Sequence, residues 1–417
     1  MQRLNVAIIG AGPAGLATAL YLKRAGHNPV IFEQFDKPAP VGSGLILQPS
    51  GLSVLADLGL LPAIMALGNR IDRLYGENIS GRTVLDVRYS ALNKGRFGLA
   101  VHRAALFSVL HDAALAEQVA IETGHDIVGM ERETKGAALI DKAGSRHGPF
   151  DLIVDCSGAK SKLRRFSSDA ITPKELVYGA LWASLDYVPA EMDKHALVQR
   201  YDRASVMIGV LPMGRAEKDA KEQAAFFWSI KPKDFEKTQE LGIDAWKARV
   251  LSLWPQARPY TDQIQSFGQF TLARYGHHTM RLPYAERLAF VGDSAHSASP
   301  QLGQGANMAL LDAKALVHAL DTSGDPAIAL PRYAASRRHH IRFFQAMSYA
   351  FTPFYQSDSK LLPVVRDRLV SPLSRIVPAQ KFLASMVSGT LVSPFEKIGM
   401  EETIWRAAGT QRAAATR

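Results

Sequence analysis

The chain has 417 residues, of which 47% are hydrophobic and 21% are charged, and its formal net charge is +10. This length allows a large buried core in about two domains, and the composition is ordinary for a soluble globular enzyme. The single cysteine, Cys156, excludes an intrachain disulfide framework and a cysteine-based zinc site, so a cytoplasmic location is expected. No run approaches the roughly 18–20 apolar residues that span a bilayer, and residues 1–9 lack the features of a secretory signal.

The N-terminal residues have the pattern of a β-α-β unit. An apolar strand is predicted over residues 4–9, a helix over 14–26 and a second strand over 29–33. Gly10, Gly12 and Gly15 lie between the first strand and the helix, at the spacing of a dinucleotide fingerprint. The first permits a tight turn, the second lets the backbone approach a pyrophosphate, and the third allows close helix–strand packing. Glu33 ends the second strand, where it can accept hydrogen bonds from ribose hydroxyls. The motif predicts a dinucleotide but does not decide between FAD and NAD.

The middle of the chain changes from one pattern to another. Residues 71–97 form short alternating segments, a helix is predicted over about 103–114, and a buried strand over 148–158. Aromatic-rich alternation from about 174 to 272 predicts an antiparallel sheet with one covered face. From about residue 331 the pattern is helical, with interruptions at Pro353, Pro363, Pro372, Pro378 and Pro394.

A second nucleotide-type element follows an apolar strand at 287–291. Gly292-Asp293-Ser294-Ala295-His296 precedes Pro300-Gln301-Leu302-Gly303-Gln304-Gly305-Ala306-Asn307, and a helix is predicted from Asn307 to about Leu320. An acid at a strand end can hold a sugar hydroxyl, and a glycine-rich helix start offers unpaired N–H groups to negative charge. Because this element is so far along the chain from the first, we expect one long ligand to be held at both ends.

Together, the two elements resemble the FAD-dependent hydroxylases of the para-hydroxybenzoate hydroxylase type, the class A flavoprotein monooxygenases, over about residues 3–320. The resemblance implies that Asp293 binds the ribityl chain and that Pro300 and Gly303–Asn307 lie along the flavin ring. It also places Arg103 near the pyrophosphate, Gly42-Ser43-Gly44 near the ring and the main chain of Ile127 near the adenine. The predicted FAD-binding residues are Gly10, Gly12, Ala14, Gly15, Glu33, Gly44, Arg103, Ile127, Gly158, Asp293, Pro300, Gly303, Gly305, Ala306 and Asn307.

The predicted fold class is α/β. A Rossmann-like FAD-binding domain with a parallel sheet is interleaved with an antiparallel β-sheet substrate domain and followed by a helical C-terminal region. The predicted FAD-binding domain is discontinuous and comprises residues 1–70, 98–173 and 273–330. The substrate-binding domain comprises residues 71–97 and 174–272, and the helical region comprises residues 331–417.

A third family motif departs from the pattern. Class A monooxygenases usually carry Asp-Gly-x-x-Ser-x-x-Arg, whose aspartate helps to organise FAD and the reduced nicotinamide. Here Gly158, Ser161 and Arg164 match, but Ser157 replaces the aspartate. A Ser-Gly version resembles halogenases and geranylgeranyl-reductase-like proteins, so reduction by a separate reductase stays open beside direct reduction by NADH or NADPH. The Trp-x-Trp-x-Ile-Pro segment of halogenases is absent, and Cys156 is expected to be a buried strand-end residue.

Positive charge is concentrated in residues 332–382, which have a local balance of +7. One interpretation is a solvated helical face near an anionic cofactor; the other is a surface for anionic lipid or an acidic partner. Nucleic-acid binding is not expected, because no corresponding motif accompanies the charge. The tail loosely resembles hydroxylases of ubiquinone biosynthesis, through Tyr333, Arg337-Arg338, Phe351, Phe354, Leu362, Arg366-Asp367 and Gly389.

The sequence therefore predicts an FAD-dependent monooxygenase. The resemblance implies hydroxylation of an electron-rich, aromatic or phenolic small molecule through a flavin hydroperoxide, with O2 and NAD(P)H. The alternatives are a flavin-dependent reductase or halogenase-like enzyme, or a two-component monooxygenase. We expect a monomer or homodimer, with contact to a membrane surface or a protein partner left open. No catalytic base or metal site is predicted, and His296 is expected to be structural. Candidates to line the substrate site are Trp182, Tyr201, Phe227, Trp228 and Phe270.

Overall fold

The computed structural model describes residues 3–37, 42–93, 95–169, 171–189, 192–374 and 376–402. Its first sheet has six strands, and all neighbours are parallel except the edge pair Tyr284–Ala285 and Leu288–Phe290. In spatial order the strands are Tyr284–Ala285, Leu288–Phe290, Leu152–Asp155, Asn5–Ile9, Asn28–Phe32 and Ala120–Glu122. The carboxyl ends of the central strands lead into the two glycine-rich motifs, so the sheet brings together elements that are far apart in sequence.

The strand Asn5–Ile9 is apolar because both faces of the sheet are covered. Val6 and Ile8 pack into a core that includes helices Pro13–Arg24 and Gly305–Ser323. Ala7 and Ile9 pack on the opposite side, against a small antiparallel sheet. That sheet consists of Ile127–Glu133, Gly136–Asp141 and Arg146–Phe150. The predicted α/β class is thus confirmed.

The largest sheet has seven strands and is antiparallel except where Arg73–Asn78 pairs with Ala196–Asp202. Its strands, in spatial order, are Thr271–Ala273, Gly179–Asp186, Gln223–Ile230, Val206–Gly214, Ala196–Asp202, Arg73–Asn78 and Thr83–Arg88. Side chains alternate between its faces, so Phe226 and Trp228 lie in one apolar cluster and Phe227 in another.

The prediction of a single covered face is wrong for the central strands, because Val206–Gly214 and Gln223–Ile230 are buried on both faces. Helices that the alternating pattern over 174–272 did not predict cover one of these faces. Phe235–Glu240, Ile243–Leu253 and Arg258–Thr261 intervene between two strands. Trp246 and Tyr260 supply part of the apolar cluster on that face. At the end of the region predicted as antiparallel sheet, residues Phe267–Gln269 form a single helical turn and only Thr271–Ala273 joins the sheet.

Two further three-stranded sheets join the large sheets. One consists of Gly44–Leu47, Gly98–His102 and Asn69–Ile71, and the other of Lys174–Glu175, Gly276–Thr279 and His296–Ser297. The remaining helices are Pro49–Asp57, Leu61–Leu67, Arg103–Ala116, Pro326–Tyr355, Leu362–Val365, Arg366–Val370, Ser371–Leu373 and Val377–Val387.

Proline positions in the C-terminal region follow helix geometry. Pro363, Pro372 and Pro378 each lie in the first turn of a helix, where no intrahelical partner is lost. Pro353 lies inside helix Pro326–Tyr355, so the interruption predicted at this residue is wrong. None of the helices in the described part of the chain is both long enough and apolar enough to cross a membrane.

Candidate cofactor and active site

The first glycine-rich loop contains two glycines required by protein packing and one that faces open space. A Cβ on Gly10, which has φ of +98°, would lie 2.9 Å from the carbonyl oxygen of Cys156. A Cβ on Gly15 would lie 2.0 Å from the carbonyl oxygen of Gly10. By contrast, a Cβ on Gly12 would meet no atom within 4 Å. The loop therefore leaves room at the N-terminus of helix Pro13–Arg24, where N–H groups and the helix dipole favour an anion.

Glu33 is fixed beside this loop. Its Oε2 accepts a hydrogen bond of 2.8 Å from the N–H of Ala11, and its Oε1 accepts one of 3.1 Å from the N–H of Phe35. Each carboxylate oxygen can accept a further bond, so Glu33 keeps capacity for ribose hydroxyls. Ile127 starts the neighbouring strand Ile127–Glu133 and packs in the same apolar cluster as Phe32.

The Gly292-Asp293 turn fits between helices Pro13–Arg24 and Gly305–Ser323. A Cβ on Gly292 would lie 2.9 Å from the Cβ of Ala309 and 3.5 Å from that of Ala14, so a larger residue would push the helices apart. Ser294 Oγ donates to the carbonyl oxygen of Asp155 over 2.6 Å, which ties the turn to the adjacent strand. Asp293 is thereby held next to both helix starts; a Cβ on Gly305 would lie 3.9 Å from its Oδ1.

Asp293 is an acceptor without a hydrogen-bond partner among the described residues. Its side chain is reached by solvent, yet the surrounding protein desolvates the carboxyl and raises its pKa. The charges of His296 and Arg103 oppose that rise, while Asp312 adds to it. A carboxylate in this setting gains by accepting hydrogen bonds from a ligand, as sugar or ribityl hydroxyls would provide.

The second glycine-rich helix start is organised by the side chain of Asn307. Its Oδ1 accepts from the N–H of Gln48 over 2.8 Å, and its Nδ2 donates to the carbonyls of Gly303 and Ile46 over 2.9 and 3.2 Å. These bonds hold the loop against strand Gly44–Leu47. Because the side chain of Asn307 is fully buried and engaged by the protein, its part is to shape the helix start, where the N–H of the partly exposed Ala306 can serve a ligand.

Gly44 and Arg103 each lie where two parts of the chain approach each other closely. A Cβ on Gly44 would lie 2.0 Å from Sδ of Met213, so this glycine lets the strand approach the seven-stranded sheet closely. Arg103 is exposed at the start of its helix, and a Cβ on Gly42 would lie 3.1 Å from its Cδ. The charge of Arg103 also opposes the rise in the pKa of Asp293.

The segment that departs from the family pattern forms a closed hydrogen-bond cluster. Ser157 Oγ donates to Asp155 Oδ1 over 2.6 Å, and Ser161 Oγ donates to Asp155 Oδ2. Burial raises the pKa of Asp155, and the two serines oppose the rise. Arg164 is also buried, and it donates to the carbonyl oxygens of Ala159 and Ser294. Arg164 therefore stabilises the Asp293 turn through its bond to Ser294. The Ser157 hydroxyl is bonded to Asp155 in its own loop.

A buried network, which sequence reasoning missed, joins the Asp293 turn to the C-terminal region. His296 Nε2 lies 2.6 Å from Asp312 Oδ2, and Arg337 Nε donates to Asp312 Oδ1 over 2.7 Å. Arg337 continues to His340, whose Nε2 lies 3.0 Å from the carbonyl oxygen of Gly389. This arrangement agrees with a structural function for His296. In the sequence, this network is indicated by Asp312, a charged residue among the apolar positions of its helix.

The inner face of the seven-stranded sheet turns toward this site. Trp182 and Phe227 have ring centroids 4.6 Å apart, and Trp182 Nε1 donates to the hydroxyl of Tyr275 over 2.8 Å. Tyr275 directly precedes strand Gly276–Thr279, which pairs with His296–Ser297 after the Asp293 turn. The charge of Arg103 acts on Tyr275 as it does on Asp293. Tyr275 is a second residue that the sequence did not single out.

The five aromatic candidates divide between the two faces. Trp182, Tyr201 and Phe227 share the inner cluster. Trp228 packs in the outer cluster with the covering helices, and the partly buried Phe270 packs against the same cluster. Trp228 and Phe270 were therefore wrong candidates for the site, because alternation separates the faces without saying which one is covered by helices.

Two glycine-rich helix starts, with Glu33 beside the first and Asp293 next to both, form a surface suited to an extended dinucleotide. The residues present fit FAD, since the open space over Gly12 offers helix N–H groups to a phosphate and the carboxylate of Asp293 can accept hydrogen bonds from ribityl hydroxyls. We call the predicted FAD-binding surface formed by these residues the cofactor groove. The family described as "FAD binding domain" matches residues 3–342. The chain belongs to this family, within the class A flavoprotein monooxygenases, and is an FAD-dependent oxidoreductase.

Known proteins agree with this assignment. The chain is 26% identical over 385 residues to the aurachin C monooxygenase/isomerase of Stigmatella aurantiaca, covering 89% of this chain and 94% of that protein. It is 26% identical to the 3-amino-4-hydroxybenzoate 2-monooxygenase of Streptomyces cremeus, covering 80% and 83%. Its fold is similar to that of Klebsiella pneumoniae HpxO complexed with FAD and uric acid, with a TM-score of 0.79, 20% identity and coverage of 93% and 98%.

Proposed function

We propose that this enzyme hydroxylates an electron-rich aromatic or phenolic small molecule bound between the cofactor groove and the inner face of the seven-stranded sheet. The observation that carries this proposal is the position of Tyr275 and Trp182, which connect the aromatic face to the Asp293 turn. Relatives named for oxygenation of 3-amino-4-hydroxybenzoate and 3-hydroxybenzoate support an aromatic ring as substrate. They favour hydroxylation over a halogenase or reductase activity.

The overall reaction is balanced with a nicotinamide as the reductant. One aromatic C–H, one O2, one NAD(P)H and one proton give one C–OH, one water and one NAD(P)+. Bound FAD would supply the electron transfer and the activation of O2. The chain's own residues bind the substrate ring, orient its oxygen and exclude water from the reacting atoms.

Tyr275 is the proposed orienting residue. Burial raises the pKa of its hydroxyl to about 12, and Trp182 and Arg103 oppose that rise. The hydroxyl is thus protonated at neutral pH, and since it accepts from Trp182 Nε1, its own proton is free to reach a substrate oxygen. Trp182 and Phe227 would contact the ring itself.

The cofactor residues are proposed with separate tasks. Gly12 and Arg103 would contact the pyrophosphate, Glu33 the ribose and Asp293 the ribityl chain. The backbone N–H groups of Ala306 and Asn307 would face the flavin pyrimidine edge, where a helix N-terminus stabilises negative charge. We also propose that residues 1–70, 98–173 and 273–330 form the FAD-binding domain, residues 71–97 and 174–272 the substrate-binding domain, and residues 331–417 the helical region.

Direct reduction by NAD(P)H, the donor typical of this family, is the proposed electron source. The Ser157 hydroxyl donates to Asp155, and we expect that the replacement of the usual aspartate by this serine does not prevent direct reduction. Stopped-flow absorbance of the FAD-loaded protein with NADH and with NADPH tests this step. We expect flavin bleaching that accelerates when a phenolic substrate is present. Turnover only with flavin reduced by a separate enzyme would contradict direct reduction.

The hydroxylation itself is tested by product analysis. A panel of hydroxybenzoates, aminophenols and hydroxyquinolines is incubated with enzyme, NAD(P)H and 18O2, and products are examined by mass spectrometry. We expect one atom of 18O in a hydroxylated product of at least one phenolic compound. Consumption of NAD(P)H that yields only hydrogen peroxide across the panel would count against this substrate class.

We propose further that residues 360–374 and 376–382 contact an anionic membrane surface. Seven large apolar side chains are exposed in this segment: Leu361, Val364, Leu369, Leu373, Ile376, Val377 and Phe382. Lys360, Arg368 and Lys381 are exposed among them, while the sole acid of the segment, Asp367, accepts from Arg366 and Asn78. Exposed apolar groups interspersed with unpaired bases suit anionic lipid head groups. A cytoplasmic location, with the enzyme at the membrane face, remains the prediction.

Vesicle sedimentation tests this surface. The protein should sediment with vesicles containing about a third phosphatidylglycerol, less with pure phosphatidylcholine, and less again at high salt. Leu373→Asp with Ile376→Asp should abolish binding, whereas Leu241→Asp, at an apolar side chain 67% exposed elsewhere, should not. Self-association without vesicle binding would show that the surface joins copies of the chain instead. Light scattering of the protein without vesicles measures its molar mass and so tests the predicted monomer or homodimer.

A further inference from the structure

A cluster of two histidines and one aspartate lies outside the cofactor groove. His125 Nδ1 is 3.2 Å and His147 Nε2 is 3.0 Å from the same carboxylate oxygen, Oδ2 of Asp141. All three ligand atoms lie within 4.8 Å of one another. They come from three separate segments: the loop before Ile127–Glu133, the end of Gly136–Asp141 and the strand Arg146–Phe150. The hairpin sheet thus gathers nitrogen and oxygen donors to one point.

The spacing suits a small divalent transition metal ion. Ligand atoms bound to Zn2+ at about 2.0–2.1 Å lie roughly 3.3 Å apart along a tetrahedral edge. The two N···O separations of 3.0 and 3.2 Å are close to that value. Two imidazoles and one carboxylate are a set that Zn2+ accepts, with water at the fourth position.

The surroundings hold the ligands in place. Asp141 is 5% exposed, and its other oxygen, Oδ1, accepts from the N–H of Ser145 over 2.8 Å, which orients the carboxylate. The ring of Phe32 packs on both imidazoles, with centroids 5.9 Å from His125 and 5.1 Å from His147. The histidines are 29% and 20% exposed, so an ion and its water can enter from solvent. Such outer contacts are what orient ligands in metal sites.

We propose that His125, Asp141 and His147 form a structural site for Zn2+ or a similar borderline divalent ion. The site is separate from the hydroxylation chemistry, which needs no metal in the scheme above. It lies behind the ribose end of the groove, because the N–H of His125 donates to the carbonyl oxygen of Glu33 over 2.8 Å. A bound ion would join the hairpin sheet to the loop that follows strand Ala120–Glu122.

Calorimetric titration of the FAD-loaded, tag-free protein with Zn2+ tests the site. We expect one equivalent to bind and the thermal midpoint of unfolding to rise with Zn2+ concentration, because binding to the folded state alone stabilises it. Asp141→Asn and His147→Gln should each lower the affinity for Zn2+ by at least about tenfold. Both effects are measured without any assay of oxygenation, so they do not depend on the proposed function.

His111→Gln is the matched control. His111 also lies near an aspartate, with Nδ1 3.8 Å from Asp112 Oδ1, but no second histidine joins the pair in the described structure. This variant should bind Zn2+ as the wild type does. Absence of stoichiometric binding to the wild type, or equal affinity in His147→Gln, would overturn the proposal and leave a hydrogen-bonded cluster. Circular dichroism and flavin absorbance confirm that each variant is folded before titration.

Discussion

Arg337 Nε donates to Asp312 Oδ1 over 2.7 Å, and neither side chain is exposed to solvent. Asp312 belongs to the helix that starts at the flavin-facing loop, and Arg337 belongs to the long C-terminal helix Pro326–Tyr355. The pair therefore ties the cofactor loop to a region that makes up the last fifth of the chain. The pair matters for stability because both groups are buried. If one partner is removed, the other charge remains in the interior with neither a counter-charge nor water around it.

Asp312→Asn should destabilise the protein by about 3–5 kcal/mol, since it leaves Arg337 buried without a counter-charge. The measurement is urea unfolding of the FAD-loaded protein. Asp321→Asn, at an exposed position of the same helix, is the control and should change the free energy of unfolding by at most about 0.5 kcal/mol. Equal effects of the two substitutions would show that the buried pair contributes little.

The Asp312–Arg337 pair should also make the free energy of unfolding depend on pH in acid. Burial raises the pKa of Asp312, but the charges of His296 and Arg337 outweigh it and lower the pKa to about 2. A carboxyl whose folded pKa lies below its unfolded value of about 3.9 stabilises the fold above that value and loses the effect as pH falls to about 2. The stability difference between wild type and Asp312→Asn should therefore shrink between about pH 4 and pH 2.

Two glycine substitutions separate cofactor binding from folding. Gly12→Ala should fold normally, because its φ of −74° suits alanine and no protein atom lies near the new methyl group. It should nevertheless weaken FAD binding by roughly tenfold or more, since the methyl group enters the space proposed for the pyrophosphate. Gly15→Ala should destabilise even the apoprotein, by about 1–3 kcal/mol, because its methyl group would overlap the Gly10 carbonyl.

Fluorescence titration of each apoprotein with FAD and urea unfolding of the same samples provide both readouts. If Gly12→Ala bound FAD as tightly as the wild type, the groove above it would not hold the cofactor. If it lost stability like Gly15→Ala, its effect on FAD would be indirect.

Asp293→Ala should weaken FAD retention by about tenfold or more while leaving the apoprotein at least as stable as the wild type. The physical reason is that the fold raises the pKa of this carboxyl, so its ionised form is disfavoured until a ligand donates hydrogen bonds to it. Asp262→Ala, at an exposed position beyond the seven-stranded sheet, is the control. Loss of apoprotein stability with unchanged FAD affinity would contradict the proposed ribityl contact.

Tyr275→Phe should lower kcat/KM for a phenolic substrate by roughly tenfold, the equivalent of one lost hydrogen bond of about 1–1.5 kcal/mol. FAD affinity should not change. Because burial raises the pKa of Tyr275 to about 12, the hydroxyl stays protonated and the difference from wild type should be constant from about pH 6 to 10. Tyr187→Phe, whose hydroxyl donates to the Met192 carbonyl, is the control. A fall in FAD affinity instead would place Tyr275 at the cofactor.

Features encoded by neighbouring residues could be predicted from the sequence. The turn at Gly10, the helix after it and the strand before Gly292 follow from short-range rules about glycine and apolar runs. The pairing of Asp312 with Arg337 could not be predicted, because it depends on how two helices cross. The same is true of Trp182 and Trp228, whose opposite orientations follow from the pleat while the covered face depends on helices elsewhere in the chain.

Ser157→Asp restores the residue typical of the family, yet it should damage this protein. The Ser157 hydroxyl donates to Asp155 over 2.6 Å, so an aspartate there would place a second carboxylate against one whose pKa is already raised by burial. We expect a loss of about 1–3 kcal/mol in the free energy of unfolding and no faster reduction by NAD(P)H. Ser157→Ala, which removes only the hydrogen bond, should cost about 1 kcal/mol and leave the reduction rate unchanged. Urea unfolding and stopped-flow reduction separate the two effects. Faster reduction in Ser157→Asp would mean that the loop can turn an acid toward the cofactor despite Asp155, and the serine would then be the reason for slow direct reduction.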